Sequence, residues 1–97
     1  LHADFFNQFD RRLKAYKGIA DSQLQALILP VLKAVMNADG PCLGRHLPEA
    51  DATARKEVME ILVEDGFIDF TEDASYERHW KPASRLAKIW WMRSGLA

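Results

Sequence analysis

The sequence predicts a mainly α-helical domain that carries one small β-hairpin and has extra helices at both ends. Three observations predict it. Apolar residues recur at helical spacing in separate stretches along the chain. Within Asp51–Phe70, a glycine separates a helical period from a period of two. The polar segment Thr71–Ser75 then separates two alternating runs, the pattern of a hairpin.

The stretch Asp51–Phe70 organises the rest. Ala54, Val58, Ile61 and Leu62 fall at offsets of four, seven and eight, which is one buried stripe on a helix. Asp51 or Thr53 is suited to cap the start, accepting a backbone N–H that the first turn leaves unpaired. Gly66 is suited to the left-handed conformation that ends a helix without a Cβ penalty. Beyond it, Phe67 and Asp69 alternate with Ile68 and Phe70, as in a strand.

In chain order, Leu1–Lys17 is predicted helical from Leu1, Phe5, Phe6, Phe9, Leu13 and Tyr16, with Gly18 to close it. Its aromatic stripe either packs over the domain behind it or meets a partner, since three phenylalanines are a large apolar surface for a small domain to cover. Asp21–Asn37 is predicted as the central, most buried helix, capped by Asp21 or Ser22. Pro30 inside it removes a backbone bond and crowds the preceding turn, which predicts a kink or two short helices in line. Ala38–Pro41 reads as a turn, Cys42–Leu43 as a brief strand, and Gly44–Leu47 as one helical turn stopped near Pro48. Tyr76–Lys81 is the returning strand, with Tyr76, Arg78 and Trp80 on one face and Glu77, His79 and Lys81 on the other; Pro82 ends it. Ser84 caps a last helix, Arg85–Arg93, that Gly95 closes. Residues 1–20, 21–83 and 84–97 are thus an N-terminal helix, a core and a C-terminal helix, all in one domain.

Ninety-seven residues suffice for one hydrophobic core. A formal net charge of −1 and a pI near 6.3 lack the basic excess that marks many nucleic-acid-binding chains. The single cysteine, Cys42, rules out an internal disulfide and predicts a reducing, cytoplasmic setting. No apolar run reaches membrane-spanning length and no signal peptide is visible, so no membrane partner is expected. The chain begins at Leu1 rather than Met, which predicts a trimmed chain or a piece of a longer one.

The order helix, short strand, short helix, helix, strand, wing, strand resembles the winged helix-turn-helix superfamily. The residues that carry the resemblance are Leu43–Leu47, then Thr53-Ala54-Arg55-Lys56, Val58, Ile61-Leu62 and Asp65-Gly66-Phe67-Ile68, then Tyr76–Lys81. The run into Gly-Phe-Ile is similar to the ending of the recognition helix in MarR-like regulators. The match spans about Leu24 to Ala83; the very short helix before the recognition helix departs from the pattern. The resemblance implies a winged helix-turn-helix fold with extra N- and C-terminal helices, and a transcriptional regulator or other DNA-transaction protein.

It also implies which residues touch DNA. Winged helices typically set the N-terminal half of the recognition helix in the major groove. Here that face would hold Ala52, Thr53, Arg55, Lys56 and Met59, with Arg55 on a base edge and Thr53 and Lys56 on phosphates. Arg45, His46, Arg78, His79 and Lys81 would add backbone contacts. Against this, Asp51, Glu57 and Glu60 flank Arg55 and Lys56, and Glu72, Asp73 and Glu77 make the wing acidic. The alternative is a winged-helix module that binds another protein subunit of a larger complex without touching DNA.

An enzyme is not predicted. Cys42 and His46 lie four apart, and His79 would be a third ligand, but nothing in the spacing fixes it, and a buried cysteine is the more natural reading. No phosphate loop, His-Glu-x-x-His or Gly-x-Ser-x-Gly occurs, and no cofactor or metal is expected. Glu57, Glu60 and Glu64 share helical spacing, along an exposed edge rather than in a cleft. Trp90 and Trp91 are neighbours about 100° apart on a helix, so Trp91 is predicted at an interface with Phe5, Phe6 and Phe9. The terminal helices then pair within one chain or across a two-fold axis, and a homodimer is the expected assembly.

Overall fold

The computed structural model describes residues 2–97. Among them the order is α1 (His2–Ala15), a single 3₁₀ turn (Tyr16–Gly18), α2 (Ser22–Met36), β1 (Cys42–Leu43), a second 3₁₀ turn (Gly44–His46), α3 (Ala52–Glu64), β2 (Ile68–Glu72), β3 (Arg78–Pro82) and α4 (Arg85–Ser94). Leu1, counted in the expected first stripe, lies outside the described residues. The strands form one antiparallel sheet in the order β1-β3-β2. Cys42 stands opposite Trp80, and Ile68 opposite Pro82. The architecture is therefore mainly helical with a small three-stranded sheet.

The helix starts follow from side-chain caps. Asp21 accepts from the backbone N–H of Gln23 and Leu24 at 2.9 and 3.2 Å. Asp51 accepts from Ala54 and the Ser84 hydroxyl from Ala87, each at 3.0 Å. Each bond satisfies a donor that the first turn leaves unpaired. Gly66 and Gly95 take positive φ, +81° and +80°, just past the ends of α3 and α4.

Two local expectations change. α2 is not divided at Pro30; one helix runs through it. Pro30 lies on the exposed side, while Ile28, Val31, Leu32 and Val35 are buried and hold both halves against the core. The Ala26 carbonyl, deprived of its donor, is on an exposed residue where water can serve it. The hairpin is also shifted: β2 runs on to Glu72 and β3 starts at Arg78, not Tyr76. Tyr76 has φ +61°, a conformation that cannot continue a strand.

The aromatic residues meet inside the molecule. The buried Phe67 ring lies 5.3 Å from Phe9, 6.0 Å from Tyr16 and 5.2 Å from Trp90. This cluster joins α1, the α3–β2 corner and α4. The terminal helices thus pair within one chain, and Trp90 donates its indole N–H to Asp10 at 2.9 Å. Phe9 and Trp91, expected at an interface, are 6% and 1% exposed and belong to the core. Adjacent tryptophans are both buried because α4 is covered on two sides. Trp90 faces α1 and Phe67, while Trp91 donates to Asn37 at the end of α2, at 2.6 Å. Phe5 is 47% exposed, and Phe6 is half-buried with the Arg93 guanidinium 5.7 Å from its ring.

Two further contacts fix α1 to the α3–β2 corner. Arg12 donates to the Asp65 carbonyl at 2.6 Å, and the Tyr16 hydroxyl donates to Asp65 Oδ2 at 2.5 Å. Burial first, and then the Asp65 carboxylate, holds the Tyr16 phenol well above the ordinary tyrosine value. The Lys88 ammonium donates to the Met36 carbonyl, placing a cation at the C-terminal end of α2, where the helix dipole favours it.

Candidate nucleic-acid interface

The N-terminal half of α3, the Gly44–His46 turn and β3 enclose a shallow depression of about 190 Å³. Arg55, Lys56 and Arg78 converge there, with Ala52, Met59 and Trp80 also in its lining. α3 brings Arg55 and Lys56 because its Val58 and Leu62 are fixed in the core, which turns the opposite face outward. β3 brings Arg78 because Trp80, two residues on and so on the same face, is buried against the helices.

Lys56 is exposed and in no ion pair among the described residues. Arg55 is half-buried, and its Nη1 is turned toward the Pro48 carbonyl at 3.4 Å, a long bond that a stronger acceptor would replace. The Arg78 guanidinium stacks 4.2 Å above the centre of the Phe70 ring. Stacking holds its fork in place and leaves its edges free to donate.

The remaining expected site residues do not all join this group. Thr53 is exposed on α3 but outside the lining of the depression. Met59, expected to face outward, is buried in the core. Arg45 is exposed and lies 4.0 Å from Glu77 Oε1. The His46 Nδ1 accepts from the Leu43 backbone N–H at 3.4 Å and so braces the turn. Lys81 stands opposite Asp69 on the other sheet face, away from Arg78, because strand residues alternate sides.

The hairpin tip is built on Asp73. Its Oδ1 accepts from the N–H of Ser75 and Glu77 at 2.8 and 3.1 Å, and its Oδ2 lies 3.0 Å from His79 Nε2. The hydrogen bond to His79 foremost, then those two N–H groups, hold the Asp73 carboxyl below its ordinary value. Cys42 is buried and burial pushes its thiol up, whereas His46 is exposed; the two do not form a pair. Among the described residues no group of three His, Cys, Asp or Glu side chains could hold a metal ion. Among the same residues no helix is long and apolar enough to cross a membrane.

Glu60 and Glu64 are exposed on the helix edge, as expected, but that edge is also the rim of a cleft floored by Phe70 and Trp80, which was not expected. Sequence reasoning missed that cleft; the alternation of Phe70 in one strand and Trp80 in the next was the available signal, since both even-numbered faces had to meet α3. No protein-family model, curated protein or solved structure matches the chain.

Proposed function

We propose that the chain is a winged helix-turn-helix domain that binds duplex DNA through the N-terminal half of α3. The observation that carries this reading is the depression where Arg55, Lys56 and Arg78 converge. The succession α2, β1, Gly44–His46, α3, β2, β3 and the sheet order β1-β3-β2 support it, because they set α3 beside a hairpin as a winged helix does. In this reading α3 is the recognition helix, Lys56 and Arg78 meet phosphates, and Arg55 leaves Pro48 for a phosphate or a guanine edge. The acidic side chains further along α3, Glu57, Glu60 and Glu64, confine the DNA to its first turns.

The test is fluorescence anisotropy with a random-sequence duplex across a salt series. Three phosphate contacts give a slope of log affinity against log salt of about −2.7, or roughly 40-fold weaker binding from 50 to 200 mM salt. Lys56→Ala flattens the slope by about 0.9. No binding at the lowest salt would refute phosphate contact. A protein partner is the second reading, favoured by those same three glutamates, which outnumber Arg55 and Lys56 on the helix. In that case the DNA titration is flat, and a partner is sought at the acidic half of α3.

A further inference from the structure

Beside the basic depression lies a second cleft, of about 300 Å³, between the C-terminal half of α3 and the hairpin. Its walls are Glu60, Val63 and Glu64 on one side and Phe70, Arg78 and Trp80 on the other. The floor is aromatic: the Phe70 and Trp80 rings lie 4.9 Å apart, tilted by 52°, and Phe70 is only half-buried. The rim is acidic. Glu60 and Glu64 are four residues apart, hence on the same edge of the helix, and both are exposed. The ion pairs among the described residues are Arg45–Glu77 and His79–Asp73, so neither glutamate belongs to one. The cleft already seats one cation on its floor: the Arg78 guanidinium lies 4.2 Å from the Phe70 ring centre and 5.8 Å from that of Trp80. Glu72 stands opposite Arg78 across the hairpin and sets a further carboxylate near that cation.

We infer that this cleft docks an arginine or lysine side chain presented by a basic segment of a partner protein. Charge complementarity selects the occupant. Two carboxylates against a single guanidinium leave the rim negative, which repels phosphate and attracts a cation. The hydrocarbon stem of such a side chain covers Val63 and Phe70 while its head reaches Glu60 and Glu64. Arginine suits the site better than lysine, because its planar fork pairs with carboxylates and stacks on rings. The volume is at the lower end for a ligand pocket and matches one long side chain rather than a bulky small molecule. The cleft shares Arg78 and Trp80 with the basic depression; the inference deepens the protein-partner reading by naming the partner's chemistry, and it stands whether or not DNA also binds.

The test is an amide NMR titration of the 97-residue chain with N-acetyl-arginine N-methylamide, and in parallel with its citrulline analogue, which keeps the shape and loses the charge. The expected result is a set of shifts confined to Glu60, Val63, Glu64, Phe70, Arg78 and the Trp80 indole, saturating at roughly millimolar ligand. The citrulline analogue gives none. Glu60→Gln with Glu64→Gln weakens the response at least about tenfold; glutamine forms helix nearly as well as glutamate, so the variant keeps its fold, which its spectrum verifies. Equal response to citrulline, shifts spread over Asp73 and Glu77 as well, an unchanged double variant, or no response at all would each overturn the inference.

Discussion

Tyr16→Phe tests how α1 is held to the body of the domain. The substitution removes one hydroxyl, whose hydrogen bond to Asp65 Oδ2 is 2.5 Å long, and leaves the ring against Phe67. A hydrogen bond to a charged group contributes about 1.5–3 kcal/mol, and the side chain is buried enough for that range to apply. The same contact makes the difference depend on pH. The folded-state phenol is raised above its unfolded value of about 10, so its contribution is full below pH 10 and declines as pH rises beyond it. The decline is about 1.4 kcal/mol per pH unit, because only the unfolded chain releases this proton. Wild type and variant should therefore converge in stability one to two units higher, at about pH 11–12. Urea unfolding followed by tryptophan fluorescence, at neutral pH and then in steps to pH 12, measures this. A variant equal to wild type at neutral pH, or a difference that stays constant past pH 10, would refute the reasoning.

Phe67→Ala should cost about 3–5 kcal/mol, since the ring is fully buried between Phe9, Tyr16 and Trp90; calorimetry should show Tm lowered by at least about 12 °C. Gly66→Ala should cost about 1–2 kcal/mol from the backbone alone, because φ is +81° while the new Cβ would meet nothing closer than Arg12 Nη1 at 3.6 Å; thermal unfolding checks it, and an unchanged Tm contradicts it. At the hairpin tip the depressed Asp73 carboxyl keeps its hydrogen bonds above its ordinary value of 3.8 and gives them up only as pH falls below it. The amide shifts of Ser75 and Glu77 should titrate with a midpoint under 3.8, and His79→Ala should move that midpoint upward.

Periodicity located the helices because each has one stripe in the core, and side-chain caps at Asp21, Asp51 and Ser84 located where three of them begin. What it could not give was how many sides of a helix are covered. Trp91 looked displaced from the α4 stripe because a stripe presumes one buried face, and α4 has two. The same limit left Phe9 open between packing on the domain and an interface, and put Met59 on the outside. Among the site residues, Arg55 and Lys56 were legible as neighbours on one helix, whereas Arg78 was one of five further basic residues, and its place beside them depends on how β3 meets α3, which no spacing gives. Strand alternation already set Lys81 on the face opposite Arg78, and the two were still grouped as DNA contacts on charge alone. The cleft at Glu60 and Glu64 was hidden for a different reason: its walls come from three elements, and no spacing within one of them reveals it.

The pairing of the two terminal helices sets a timetable for synthesis. Asp10 and Trp90 are 80 positions apart, so α1 is translated long before its partner exists. At about 5–20 residues per second, roughly 4–16 s pass between them. Through that interval Phe6 and Phe9 have no α4 to lie against, and the α3–β2 corner that receives Phe9 and Tyr16 is itself late. Within these residues α1 precedes every element that covers its aromatic side, and a nascent chain halted before Trp90 would present an amphipathic aromatic helix to whatever waits at the ribosome exit.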